Sequence, residues 1–176
     1  MVVHSAAPAD PGGELLALYD RALPQVYGYL RVRVNDDAVA EDLTAETFLA
    51  AVQAIRDDKV PVLTIAWLVT VARNKLVDHW RRVAREERNL AVVADDAVDD
   101  PFDDHFERMR ARAVLAELGA HHQAALTLRY LDGLSVPEVA DQLGRTVHAT
   151  EALLVRARNA FRARYAEDED REGRLR

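Results

Sequence analysis

The sequence predicts an all-α chain: two small helical domains joined by an acidic linker, the second containing a helix-turn-helix. Three observations support this. Apolar residues recur at helical spacing in almost every segment, and no alternating strand pattern stands out. From Asn89 to Glu107 there are many acids and no Lys or Arg, with Pro101 inside the stretch, so this segment separates two helical halves without a core of its own. Near the C-terminal end a capped short helix, a glycine turn and a longer helix follow one another.

Residues 1–13 hold no basic cluster and no long apolar run, and are expected to be a short disordered lead rather than a signal peptide. Leu15, Leu16, Tyr19, Leu23, Val26, Tyr27 and Leu30 mark a first helix, in which Pro24 predicts a kink or a break. Asn35-Asp36-Asp37 is a turn and an N-cap signal. The second helix carries Val39, Leu43, Phe48, Val52 and Ile55 on one stripe, and the segment from Asp57 to Leu63, with Pro61, breaks it. A third helix starts near Thr64. Its apolar stripe is Ile65, Leu68, Ala72, Leu76 and Val83, and its other face carries Arg73, Asn74, Lys75, Asp78, His79, Arg81 and Arg82.

After the linker, Met109, Ala113, Leu115 and Leu118 are expected to face a core, and Gly119 punctuates. A helix from about Ala120 carries Ala124, Leu126, Leu128 and Leu131, and Asp132-Gly133 forms a turn. Ser135-Val136-Pro137-Glu138 is a capping box with proline in the first turn, a specific helix-start signal. The short helix from Glu138 to Leu143 ends at Gly144, and Thr146 caps a last helix that runs to about Tyr165. The expected organisation is a lead over 1–13, a domain over 14–88, the linker over 89–107, a second domain over 108–165 and a charged tail over 166–176.

Composition narrows the function. The net charge of -7 sits largely in the linker and in the tail acids Glu167, Asp168, Glu169, Asp170 and Glu172; the rest is nearly balanced, with its basic residues gathered on particular helices. The chain has no cysteine, which excludes disulfides and thiolate metal sites within it and fits a reducing cytoplasm. No apolar run approaches the roughly 18 residues a membrane span needs. His121 and His122 are adjacent and diverge on a helix, with no acid at ligand spacing. Glu41, Asp42 and Glu46 lack the Glu-x-x-His pattern of carboxylate metal bundles. Phosphate loops and nucleophile elbows are absent from the sequence. The expectation is a binding protein with no catalytic residue, metal or cofactor.

Two constellations suit nucleic acid. In the helix-turn-helix, Val139, Leu143, Val147 and Leu154 are expected to form the small core, and Ala140 lets the two helices cross closely. The second helix is then free to enter a major groove, with Arg156, Arg158, Arg162 and Arg164 placed for phosphates. On the third helix Arg73, Lys75, Arg81, Arg82, Arg85 and Arg88 interleave with Asn74, His79 and Trp80, a mixture suited to single-stranded DNA. The alternative there is a solvated charged face with Trp80 in the core.

The segments AEDLTAETFLAA (Ala40 to Ala51), AWLVTVARNKLVDHWRR (Ala66 to Arg82) and LSVPEVADQLGRTVHATEALLVRARNAFR (Leu134 to Arg162), in that order around a linker, resemble the extracytoplasmic-function (ECF) sigma factors. The resemblance implies that Asp42, Leu43, Glu46, Thr47 and Phe48 dock on the clamp of the RNA polymerase β′ subunit. It implies that the loop from Asp57 to Thr64, with Arg73, Asn74, Lys75, Asp78, His79, Arg81 and Arg82, opens the −10 element and holds its bases. The linker would thread through the polymerase cleft. The second domain would read the −35 element through Thr146, His148, Ala149, Glu151, Ala152, Arg156 and Arg158 and touch the β flap. An anti-sigma factor is the further implied partner. The chain departs from the family pattern at Ala45, usually Gln, and at Glu151 and Leu153, where the recognition helix usually offers a Lys and an Arg. Two rival readings are a sigma-like decoy that binds an anti-sigma factor without reading DNA, and a stand-alone repressor, which would need a dimer interface.

Overall fold

The computed structural model describes residues 11–57, 59, 63–88 and 105–173, and all regular structure among them is helical. The helices are α1 (Pro11–Val34), α2 (Asp37–Arg56), α3 (Ile65–Arg88), α4 (His105–Ala116), α5 (Ala120–Leu126), α6 (Val136–Leu143) and α7 (Val147–Gly173), with a π-helical turn over Thr127–Leu131. The contacts form two compact units. Among the described residues, the first comprises 11–31, 36–57, 59 and 63–75, the second 32–35, 76–88 and 105–173. The division falls inside α3, a single uninterrupted helix.

In the first unit α1 continues without a break through Pro24, where a kink or a break was expected. A proline inside a helix costs about 3 kcal/mol. Ala22, Val26 and Leu30 are all buried on one face spanning that position, and their burial offsets the missing hydrogen bond. The α1–α2 turn follows the sequence signal: Asn35 takes φ 52°, and the Asp36 carboxylate accepts the Val39 N–H at 3.1 Å. Asp37 pairs with Arg31 and accepts the Tyr27 hydroxyl at 3.3 Å.

The buried stripe of α2 is Ala40, Leu43, Thr44, Thr47, Phe48 and Ala51, with Val39, Val52 and Ile55 only half-buried along its edges. Small residues and threonines therefore take positions where larger aliphatics were expected. Thr44 and Thr47 can be buried because each hydroxyl donates to the carbonyl four residues back, at 2.7 Å in both cases. The Tyr19 ring from α1 lies 4.9 Å from that of Phe48. Leu68 and Ala72 complete the buried set of the first unit. The Thr64 hydroxyl accepts the Trp67 N–H at 3.1 Å and starts α3 as expected.

The core of the second unit joins Leu115 and Leu118 to Ala125 and Leu126 of α5 and to Leu153, Leu154 and Ala157 of α7, with Leu143 and Phe161 packed against it. Two expected core residues lie outside it. Ala113 is exposed because Val114 and Leu115 turn inward instead. Val147 is 43% exposed because the inward face of α7 runs through Thr150, Leu153, Leu154 and Ala157. Leu131 is also exposed, and here the π turn is responsible. The Asp132 N–H reaches back to the Thr127 carbonyl, at 3.0 Å, so one residue more per turn rotates Leu131 off the α-helical stripe.

Two element boundaries also move. Residues 105–107, expected in the linker, form the first turn of α4, while 89–104 lie outside the described residues, as do 1–10 and most of the loop after Asp57. Helix α7 continues beyond Tyr165 to Gly173, into the segment expected as a tail. The Arg110 guanidinium explains part of this extension. It pairs with Asp168 at 3.0 Å, donates to the Tyr165 carbonyl at 2.9 Å and lies 4.3 Å from the Tyr165 ring centre.

Candidate nucleic-acid interface

Each candidate face rests on one helix. On α2 the five residues predicted to dock on a partner separate into two sets. Asp42 and Glu46 are exposed, beside Glu41, Ala45 and Leu49. Leu43, Thr47 and Phe48 are 3%, 0% and 9% exposed, so they are corrected from contact residues to the packing that holds the exposed face in place. Glu46 also has a partner inside the unit, since its carboxylate lies 3.5 Å from the Lys75 ammonium. That pair links the α2 face to the polar face of α3, and its half-exposed position limits its strength.

On α3, Asn74, Asp78, Arg82 and Arg85 are exposed at spacings that keep them on neighbouring rows of the helix, while Arg73, Lys75, His79 and Arg81 are half-buried beside them. Side chains brace one another along this surface. Arg82 lies 3.2 Å from His79 Nδ1, Asp78 lies 3.6 Å from Arg81, and Arg85 donates to the Arg81 carbonyl at 3.1 Å. Trp80 is 3% exposed, so the aromatic of this segment is core and offers no stacking surface.

The helix-turn-helix follows its local grammar closely. The Ser135 N–H and hydroxyl both reach the Glu138 carboxylate, at 2.7 and 2.6 Å, closing the capping box. Gly144 adopts φ 63°, ψ 42° and ends α6 in the left-handed conformation, which disfavours any residue with a Cβ. The Thr146 hydroxyl accepts the Ala149 N–H at 3.2 Å and begins α7. Thr146, His148, Glu151, Ala152, Arg156 and Arg158 are exposed, and Ala149 is half-buried. All seven residues expected to face DNA are thus on the outward side of α7 or its edge. Leu153 is 3% exposed and belongs to the core, so it is not a lost phosphate contact. Glu151 remains the unusual residue of the face, with its carboxylate 3.9 Å from His148.

Several residues of chemical interest carried no local signal. Arg33 and Asp132 form an ion pair at 2.6 Å with side chains only 11% and 6% exposed. Glu87 accepts the Ala120 N–H at the start of α5, at 2.9 and 3.2 Å. His122 is half-buried, and its pKa is lowered by that burial and then by the nearby Arg156 charge, with Glu87 opposing. Among the described residues no cluster of three or more potential metal ligands occurs, and no helix is long and apolar enough to cross a membrane.

Comparison with known proteins agrees with this geometry. The sigma-70 region 2 model matches residues 18–86, and the sigma-70 region 4 model matches residues 108–161. The chain is 36% identical over 162 residues to the ECF RNA polymerase sigma factor BldN of Streptomyces coelicolor, covering 86% of this chain and 59% of that protein. It is 34% identical over 149 residues to the ECF RNA polymerase sigma factor SigL of Mycobacterium tuberculosis, covering 80% of this chain and 82% of the relative. Its fold resembles a chain in the co-crystal structure of the sigma factor RpoE with the anti-sigma factor NepR from Bartonella quintana. The TM-score is 0.52 at 22% identity, over 88% of this chain and 96% of that one. The capped helix-turn-helix, the outward polar faces of α2 and α3, and the two regions matched in order have one common explanation: the chain belongs to the ECF sigma factors of the sigma-70 family.

Proposed function

We propose that this chain acts in the cytoplasm as a promoter-specificity subunit of RNA polymerase, with no catalytic chemistry of its own. Asp42 and Glu46 on α2 would contact the β′ clamp. Arg73, Asn74, Lys75, Asp78, His79, Arg81 and Arg82 on α3 would engage the opened −10 strand. The outward face of α7 would contact the −35 duplex, with the second domain beside the β flap. The observation that best supports this is the order of the two sigma-70 regions along the chain, each on a helix with exposed polar residues. Control by an anti-sigma factor extends the reading, since the fold relative RpoE was crystallised with one. Polymerase supplies most of the grip on DNA, so a net charge of -7 is compatible with locally basic DNA faces.

In vitro transcription with core polymerase and genomic promoter fragments tests the proposal: specific start sites are expected only when the protein is added. Asp42→Lys is the cleaner probe of the clamp contact, because Glu46 is also paired with Lys75. It should weaken co-purification with core polymerase at least roughly thirtyfold, the lower end of the cost of truncating a charged interface contact. Full retention would remove α2 from the interface. The exposed Glu151 favours one rival, a decoy that binds an anti-sigma factor without reading DNA. Under that reading the protein would stimulate no transcription from any fragment.

A further inference from the structure

One cavity of the second unit has a charge out of keeping with the chain. It measures about 640 Å³ and is walled by α3, α5 and the turn at Gly144. Its charged and ring-bearing polar lining is Arg81, Arg85, Arg145, His121 and a single carboxylate, Asp78. Three cations thus face one anion, in a chain whose net charge is -7. Three other arginines of the unit are matched one to one: Arg33 pairs with Asp132, Arg110 with Asp168 and Arg164 with Glu167. In the cavity, Asp78 lies 3.6 Å from Arg81, and Arg81 Nε is buried without an acceptor. Arg85 donates its Nε to the Arg81 carbonyl at 3.1 Å, and Arg145 lies 3.4 Å from His121 Nδ1. Like charges gathered beside low-dielectric walls repel more than in open water, and an anion seated among them relieves the repulsion.

We infer that this cavity is a binding site for a small oligophosphate anion, a pyrophosphate or the phosphate chain of a nucleotide, held by Arg81, Arg85 and Arg145. Asp78 balances one of the three arginines, so the ligand must supply two or more negative charges, which a lone carboxylate does not. Guanidinium forks meet phosphate oxygens two at a time, and successive phosphates present enough oxygens to engage several forks together. Size agrees: about 640 Å³ lies within the roughly 300–1,000 Å³ of small-molecule sites, and a duplex cannot enter it. The apolar part of the lining, Leu143 and Ala124, is placed to meet whatever the phosphate chain carries. The site needs only the second unit and stands apart from the sigma-factor reading.

Isothermal titration calorimetry of the full-length protein with inorganic pyrophosphate, at fixed ionic strength, tests the site. Saturable binding of one anion per chain is expected in wild type. Arg85→Gln and Arg145→Gln should each weaken it at least about tenfold, the scale of losing a hydrogen bond between charged groups. Arg112→Gln makes the same charge change on an exposed residue of the same unit outside the cavity. Screening by salt should keep its affinity within about twofold of wild type. Asp78→Asn should tighten binding a few-fold, because its carboxylate competes with the anion for Arg81. Thermal melting identifies a variant that fails to fold; Arg85 is exposed, so its replacement spares the core and decides if Arg145→Gln does not fold. Absence of saturable binding in wild type would overturn the site. So would equal affinity of Arg85→Gln and Arg112→Gln, which would mean general attraction to basic surface. A single-stranded oligodeoxynucleotide titrated in place of pyrophosphate distinguishes the source of the phosphate. If it alone binds, with the same dependence on Arg85 and Arg145, the cavity grips a nucleic-acid backbone and the small-anion assignment falls.

Discussion

Helices α3 and α7 both present arginines to solvent, yet they hold them differently. The basic residues of α3 lie among partners: Lys75 beside Glu46, Arg81 beside Asp78, Arg82 beside His79. Arg156 and Arg158 on α7 are exposed and make no salt bridge with any described residue. A braced guanidinium loses less side-chain entropy when it meets a ligand and keeps its direction, which suits a site that must hold particular bases. An unbraced one adapts to a phosphate wherever it lies, at the cost of stronger dependence on salt. Under the proposed function, this difference would suit α3 to shape selection and α7 to electrostatic positioning.

The largest effect should come from dismantling α3. Replacing Asn74, Arg81 and Arg82 by Ala is expected to lower open-complex formation at least about tenfold while leaving binding to core polymerase near wild type. Each lost bidentate contact to a base edge is worth roughly 1–3 kcal/mol. Permanganate reactivity of promoter thymines measures the open complex, and reactivity equal to wild type would end the assignment of α3 to melting.

A smaller effect is expected on α7. Arg156→Ala with Arg158→Ala should reduce duplex affinity for all sequences alike, and the slope of log affinity against log salt should fall by about two. A change in base preference without a change in slope would mean that these arginines read bases. Glu151→Lys should do the opposite and raise affinity for scrambled duplexes a few-fold. Glu151 accepts hydrogen bonds only, and in a major groove it selects for cytosine amines and repels phosphates. Unchanged affinity and preference would show that α7 docks by another face.

The smallest effect concerns His122, which lies near Arg156. The folded protein resists protonating this ring, whose pKa is held below the ordinary 6.5 by burial and by the Arg156 charge. Unfolded chains take up a proton near the ordinary value, so the folded state should lose stability as pH falls through and below that value, and gain nothing from His122 above it. Denaturant melts of wild type and His122→Gln across this range should show a shallower acid slope in the variant. Identical slopes would exclude His122 as the group responsible.

Much of the fold was legible in local sequence because its signals act over one turn. Asp36, Thr64, Ser135 with Glu138, Gly144 and Thr146 each act on a backbone group within four residues, and each does in the structure what its residue type predicts. The stripes were legible to within their edges. Where periodicity failed, a local perturbation invisible to it was at work: the π turn that exposes Leu131, or the small residues that let α2 bury threonines. The outward face of α7 was also legible, since helical spacing from a well-marked start leaves little choice.

Contacts between distant positions were not legible. Asp42 and Leu43 are neighbours in a recognisable segment, but only packing distinguishes the exposed carboxylate from the buried leucine. Leu153 looked like a missing cation until the core of the second unit claimed it. Arg33 and Asp132 are 99 residues apart, with nothing in either neighbourhood to suggest the other. The sequence by itself determined where the well-capped helices begin, which faces are polar and which family the order of segments resembles, because those properties follow from short-range hydrogen bonding and helical period. Only tertiary structure decided which polar residues are offered to a partner and which are spent inside the molecule. That choice depends on which surfaces lose water together, and burial is settled by the whole chain.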